Sequence, residues 1–365
     1  MSRSLALLLL ILLQNVLSMT VSTTKDNQKA LRTLVTQAAQ HEIESDDLDL
    51  KGIVWLEHIN LVVGDQNLAK YFYITFLGFT PDDSTKSFHI NLGQQQFHLA
   101  ETGDSPQIVA GEIALTVPSL TTLRERIPPA MEVLKGTDFN VQDNDDCMRI
   151  TCPWGNRFSV YDVLRDAQVA ETLPKTVTAR KMENLHAIGG AYGTHRMAVR
   201  GKAGIRYVQI DCPYGKSSAI ARFYREILGC AVQEMESKDD QGSPTRTAIV
   251  SVGPGVHLVF LETEQVSGKE LVKNYQAMEG VHVCFYANDF KALYQRLAAR
   301  NLIWTNPRFV HLDTCDTWQE AKASRTLRFK DILDLETNEK ILELEHETRP
   351  LRHGQYLKAP NYEPK

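Results

Sequence analysis

The chain has 365 residues, 43% hydrophobic and 23% charged, with 21 glycines and 14 prolines, which excludes collagen-like, disordered and small disulfide-scaffold classes. Its 40 Lys and Arg against 45 Asp and Glu leave a net charge of −5, so no global basic field supports nucleic-acid binding by counterion release. The length suits two ordinary domains with some chain to spare.

In chain order, the apolar run Leu5 to Leu13 follows Arg3 and is diluted by Gln14, Asn15 and Ser18. It falls well short of the ~20 residues that span a bilayer and fits the core of a secretory leader. Residues 1–19 are therefore expected to be a signal peptide or leader, directing the chain to the secretory pathway or the outside of the cell, with an organelle leader as the alternative. No stable membrane span is expected after its removal. Residues 20–52 form a polar leader segment with a helical stretch around Gln28 to Gln40 and an acidic run, Glu42 to Asp49, that reads as a solvated spacer.

From Ile53 one pattern occurs twice. The first copy is a strand-like WLEHINLVV (55–63), a helix-like DQNLAKYFYITFLGF (65–79) and strands around SFHINL and QQFHLAE; the second is IRYVQIDC (205–212), SSAIARFYREILGC (217–230), TAIVSVG and VHLVFLE. Gly78 and Gly229 suit the position just past a helix, where a left-handed backbone costs glycine little. Each copy then continues: GEIALTVPSLTTLRERI (111–127) matches GVHVCFYANDFKALYQRLAARNL (280–302), and CMRITCPWGNRFSVYD (147–162) matches LRFKDILDLETNEKILELEHE (327–347). Each half thus reads as strand-helix-strands, twice. Residues 164–203, with seven basic residues and four glycines, match neither half and read as a surface linker, contact with phosphate or a partner being the other reading.

The six cysteines show no CxxC spacing. Cys212, Cys230 and Cys284 lie in strand or helix-end patterns, and a bridge between Cys147 and Cys152 would need a bulge, so buried free thiols are expected. No GxSxG, P-loop, HExxH or GxGxxG following a strand occurs.

His58 with NLVV, the helix end FYREILG, QFHLAE, the strand openings GEIALTV and GVHVCFY and the hairpin CPWGNRF resemble the vicinal oxygen chelate superfamily, which includes glyoxalases, extradiol dioxygenases and bleomycin- and fosfomycin-resistance proteins. The resemblance spans residues 53–163 and 204–348. It implies an α+β fold of two tandem glyoxalase-like domains with those bounds, each made of two βαβββ modules forming a cupped mixed sheet with flanking helices, followed by a tail, 349–365. The family chemistry it implies is one divalent metal holding two neighbouring oxygens of a small substrate, with ligands from the first, fourth, fifth and eighth strands of a cup.

On that pattern domain 1 offers His58, twenty residues before Gly78, then His98 with Glu101 nearby, and Glu112, while Ser159 stands at the eighth-strand position. Domain 2 offers Gln209, His257, His282 and Glu343 or Glu345, which share a strand face. The resemblance therefore implies a metal site of Gln209, His257, His282 and Glu343, with Glu343 or Glu345 doubling as general base, and an alternative site of His58, His98 and Glu112. Zn, Ni, Co, Mn and Fe are the candidate ions; the neutral amide of Gln209 suits Fe(II) least. The implied function is that of a metal-dependent lyase, isomerase or dioxygenase acting in domain 2. The alternative is a metal-free protein that binds or sequesters a small molecule. His346 and His353 read as surface or edge residues, and Arg349, Arg352 and His353 as candidates for an anionic group at the cup rim.

Overall fold

The computed structural model describes residues 52–162, apart from 83–84, 93–94, 104 and 145–146, and residues 204–353, apart from 239–243, 254–255, 264–267 and 352. The expected leader 1–19, the segment 20–51, the linker 164–203 and the tail beyond 353 lie outside the described residues. No helix among the described residues is long and apolar enough to cross a membrane.

Four modules follow one another. The first is β1 (Ile53–Val62), a helix α1 (Gln66–Lys70) that widens into a π-helical turn (Tyr71–Phe76), then β2 (Thr80–Pro81), β3 (His89–Leu92) and β4 (Gln95–Ala100). Asp65 caps α1 by accepting from the Leu68 amide, and Gly78 takes the left-handed backbone expected of it (φ +81°). The second module is β5 (Gly111–Val117), α2 (Leu120–Glu125), α3 (Ile127–Val133), β6 (Asn140–Asp143), β7 (Met148–Thr151) and β8 (Arg157–Asp162). The third is β9 (Gly204–Pro213), α4 (Ser217–Glu226), β10 (Val232–Lys238), β11 (Pro244–Ser251) and β12 (His257–Thr263). Helix α5 (Gly268–Met278) leads to the fourth: β13 (His282–Ala287), α6 (Phe290–Ala298), α7 (Trp318–Ser324), β14 (Leu327–Leu333) and β15 (Lys340–Pro350).

The modules pair across the two halves. One sheet runs β14-β15-β13-β1-β4-β3-β2 and the other β10-β11-β12-β9-β5-β8-β7-β6, so the first module joins the fourth and the second joins the third. The α+β architecture of paired βαβββ modules is as expected, but the expectation that each half closes its own cup is corrected. The four modules share one apolar pattern, so either pairing covers the same faces, and the repeat alone does not choose between them. What joins the modules is visible in the register: β1 lies antiparallel to β13, with His58 opposite Cys284 and Asn60 opposite His282, while β5 lies antiparallel to β9, with Glu112 opposite Gln209. The β5–β9 approach is so close at its start that a Cβ on Gly111 would overlap the Gln209 carbonyl.

Strand alternation sends one face of each sheet into the helix-covered core and the other into the cup. Phe72 and Tyr73 from the first helix pack with Phe158 and Phe97, and Phe223 and Tyr224 from α4 pack with Phe329 and Phe260, all fully buried. His346 belongs to this core, not to a charged tail. Its ring stacks on Phe329 (centroids 4.2 Å), and its Nδ1 lies 2.6 Å from the Leu344 carbonyl, leaving Nε2 to accept from the Tyr224 hydroxyl at 2.7 Å. All six cysteines are buried free thiols.

Because every sheet needs strands from both halves, fragments 52–162 and 204–353 produced separately are expected to show no cooperative thermal transition, and to regain one when co-expressed. Circular dichroism melting of each fragment and of the pair measures this; independent two-state melting of either fragment would contradict the cross-half pairing.

Candidate metal centre

The cup of the first sheet is lined by the inward residues of β1, β13, β15 and β14. Parallel pairing of β13 with β15 sets His282 opposite Glu345 and Cys284 opposite Glu347, and Arg328 faces Glu347 from β14. A register shift in β1 between Leu56 and His58 brings Glu57 alongside His58. Three groups then converge. His58 Nε2 lies 3.4 Å from His282 Nε2, His282 Nε2 lies 3.5 Å from Glu347 Oε2, and His58 Nε2 lies 4.0 Å from the same oxygen. Their exposures are 1%, 3% and 4%, so bulk water does not reach them freely.

The donor set fits a divalent ion. Bonds of ~2.1 Å at near-tetrahedral angles place ligand atoms ~3.4 Å apart, which is the spacing of the two imidazoles. His58 Nδ1 lies 3.1 Å from Glu57 Oε2; with its proton donated there, the Nε2 lone pair is left facing His282, the carboxylate–histidine arrangement that orients a metal ligand. His98, the fourth-strand candidate, does not join them. Its ring stacks on His58 (3.7 Å between centroids) and on His89 (3.5 Å), and its Nε2 is bonded to Gln96 Oε1 at 2.9 Å.

An ion-pair network surrounds the three groups. Arg349 donates to Glu347 Oε1 through Nε (2.6 Å) and to Glu57 Oε2 through Nη1 (2.6 Å). Arg328 donates to Glu347 Oε2 (2.8 Å), to Glu345 Oε1 (3.0 Å) and to both oxygens of Asp313. Glu57 also accepts from the Tyr286 hydroxyl at 2.5 Å and from the Cys284 thiol at 3.5 Å. Four carboxylates thus face two guanidiniums. Burial works against a charge on Glu347, but Arg349 and Arg328 overcome it and hold the carboxyl well below its ordinary range. Burial is likewise outweighed at Glu57, where the His58 hydrogen bond and Arg349 bring the pKa to about 2. Burial drives His282 and His98 down, keeping them neutral, the form in which imidazole binds metal. Burial pushes Glu345 up, despite its bonds to Asn306 and Arg328.

The expected site residues are distributed differently from the sequence-based sets. Gln209 and His257 lie in the second sheet, away from His282, so the expected domain 2 set of Gln209, His257, His282 and Glu343 is not brought together. Glu112 also lies in the second sheet, so His58, His98 and Glu112 do not form a set either. Glu343 is half-buried and held by Lys330 (2.7 Å) and Lys340 (3.2 Å), and Glu345 is held by Asn306 and Arg328. The carboxylate that reaches the imidazoles is Glu347, one inward step further on. Three glutamates at alternate positions share this face, and hairpin length does not say which comes level with His58. Arg349 is turned inside rather than set at the rim.

The second cup is filled by its own side chains. Glu112 accepts from the Tyr207 hydroxyl (2.5 Å) and from Ser159 Oγ (3.0 Å), and Gln209 donates to Asp211 (3.1 Å). Arg206 stacks on Tyr161 at 4.0 Å, beside an apolar cluster that includes Tyr207, Ile249 and Val259. Among the described residues, the groups of three metal-capable side chains that converge both contain His58: His58 with His282 and Glu347, and His58 with Glu57 and Cys284.

Glu347→Gln is expected to destabilise the fold by ~3 kcal/mol or more, because both guanidiniums lose a buried partner. Glu343→Gln, at a half-exposed pair, is expected to cost under ~1 kcal/mol; urea unfolding compares the two. Burial, aided by Arg206, lowers the His257 pKa to about 4. The unfolded chain therefore binds more protons between that value and ~6.5, so the stability present above ~6.5 is lost as pH falls towards 4. Urea titrations at pH 7.5 and 5 are expected to show a smaller pH dependence for His257→Gln than for the native chain.

No family model and no curated protein matches the sequence. Among solved structures, the chain is similar to glyoxalase I from Zea mays at 12% identity, covering 85% of this chain and 97% of that one with a TM-score of 0.48. It is also similar to the CppA protein of Streptococcus pneumoniae TIGR4 (9% identity, 82% and 98% covered, TM-score 0.38) and to a mutant 4-hydroxymandelate synthase from Streptomyces coelicolor (13%, 82% and 92%, TM-score 0.29). These likenesses concern fold alone. The chain's own topology is four modules paired into two mixed sheets of seven and eight strands.

Proposed function

We propose that the first cup is a divalent-metal centre in which His58, His282 and Glu347 hold one ion, and that the protein is a metal-dependent enzyme, a dioxygenase in preference to a lyase or isomerase, acting on a small oxygenated substrate. The observation that carries this reading is the convergence of two imidazoles and one carboxylate from three strands. Two histidines and one carboxylate with open positions are the donor set of non-haem Fe(II) oxygenases. The fourth-strand His98 is committed to its ring stack and to Gln96, so it is not one of the three donors. The objection that an amide ligand suits Fe(II) poorly falls away, since Gln209 is in the other sheet.

Held by His58, His282 and Glu347, an ion would supply Lewis acidity towards oxygens of the substrate. The chain's own groups do the rest. Glu57 keeps the His58 Nδ1 proton and so aims Nε2, while Arg328 and Arg349 keep Glu347 ionised. Glu345, opposite His282 on the neighbouring strand, is the general base in this reading. Phe309 lies edge-on to His282 (5.8 Å) and beneath the Arg328 guanidinium (4.7 Å), excluding water from that side.

One observation favours a second reading, a metal-free binding protein: Arg328 and Arg349 already neutralise Glu347. Metal analysis by mass spectrometry after anaerobic loading with Fe(II) separates the two. Stoichiometric metal is expected in the native chain and in Gln209→Ala and His257→Ala, with at least ten-fold less in His282→Ala and His58→Ala. No bound metal in the native chain, or the same amount in all variants, would establish the metal-free reading.

A further inference from the structure

Next along β13 and β15 from His282 and Glu347 lies a cleft of about 830 Å³, with Val281 and Glu345 in its lining. Val62 is one inward step beyond Asn60 on β1, Gly280 and Val281 precede His282, and Glu343 and Glu345 precede Glu347. The volume suits a small molecule. Trp304 and Ile341 give it apolar wall.

Its charged groups are unequally committed. Glu345 is bonded to Asn306 and Arg328, and Glu343 is shared by Lys330 and Lys340, the latter also reaching Asp331 at 3.3 Å. Glu279 is exposed at the edge. Lys330 rests 5.0 Å from the Trp304 ring with donors to spare, and Arg308 makes no ion pair among the described residues. Two residues before Val62 on β1, Asn60 Oδ1, opposite His282, is a buried acceptor with no hydrogen-bond partner among the described residues. Such an atom calls for a donor.

We infer that the cleft selects a small anionic ligand: a carboxylate taken by Arg308 and Lys330, a flat apolar body against Trp304, and a hydroxyl donated to Asn60 Oδ1. Lys330 is one inward step from Arg328, ~7 Å along the strand, which is the span of a single-ring acid. The placement of the ligand's vicinal oxygens rests on the metal-centre reading. The preference for a carboxylate does not, because it arises from Arg308 and Lys330.

Calorimetric titration with 3,4-dihydroxybenzoate and with catechol, on Ni(II)-treated and metal-free protein, tests it. The acid is expected to bind at least ten-fold more tightly than catechol, with Arg308→Gln and Lys330→Gln each shrinking that ratio and the double substitution bringing it near one. Asn60→Leu is expected to weaken both ligands and leave the ratio unchanged. Equal affinities in the native chain, a preference that survives the double substitution, or no binding of the acid would overturn the inference. Failure of Ni(II) to bind counts against the metal centre alone, since the metal-free titration still reads the carboxylate preference.

Discussion

The rest of the first cup depends on one buried carboxylate, Glu347, held between two guanidiniums. A single ionised carboxyl at 4% exposure is costly unless its lone pairs are taken, and Arg328 and Arg349 take them. Their remaining donors then fix everything around it. Arg349 reaches Glu57, which aims His58; Arg328 reaches Glu345 and Asp313, which tie the 304–313 segment to the cup. The side of Glu347 that faces the imidazoles is thereby positioned by salt bridges made before any ligand arrives.

That network is also what the cross-half pairing is for. Glu57 and His58 come from the first module and His282, Arg328, Glu347 and Arg349 from the fourth, more than two hundred residues on. The second and third modules make a sheet of the same design whose cup is packed with Tyr161, Tyr207 and Arg206. One fold is used twice, once around converging donors and once around a filled interior. The converging donors lie where the outer two modules meet, not within the N-terminal or the C-terminal half.

Much of this was legible in the residues. The doubled pattern around FYITFLG and FYREILG and the helix-ending Gly78 and Gly229 follow from period and spacing, while the resemblance is what singled out His58 and His282. Three features were not. Which module pairs with which depends on contacts between β1 and β13 that four similar apolar faces do not specify. Glu347 was hidden behind two equivalent glutamates, and only the parallel register of β15 against β13 distinguishes them. Arg349 and His346 looked like tail residues because a charged string, HETRPLRH, conceals a strand that is polar towards the cup and apolar in surroundings on its other face. Alternation around Glu345, Glu347 and Arg349 was the signal available for extending β15 to Pro350.

The proposed ion site draws its ligands from both halves of the chain. Anomalous diffraction from crystals soaked in Mn(II) locates such an ion directly. A single strong peak bounded by His58 Nε2, His282 Nε2 and Glu347 Oε2 is expected. A peak beside Gln209 and His257, or none in the first cup at full occupancy of the soak, would contradict it.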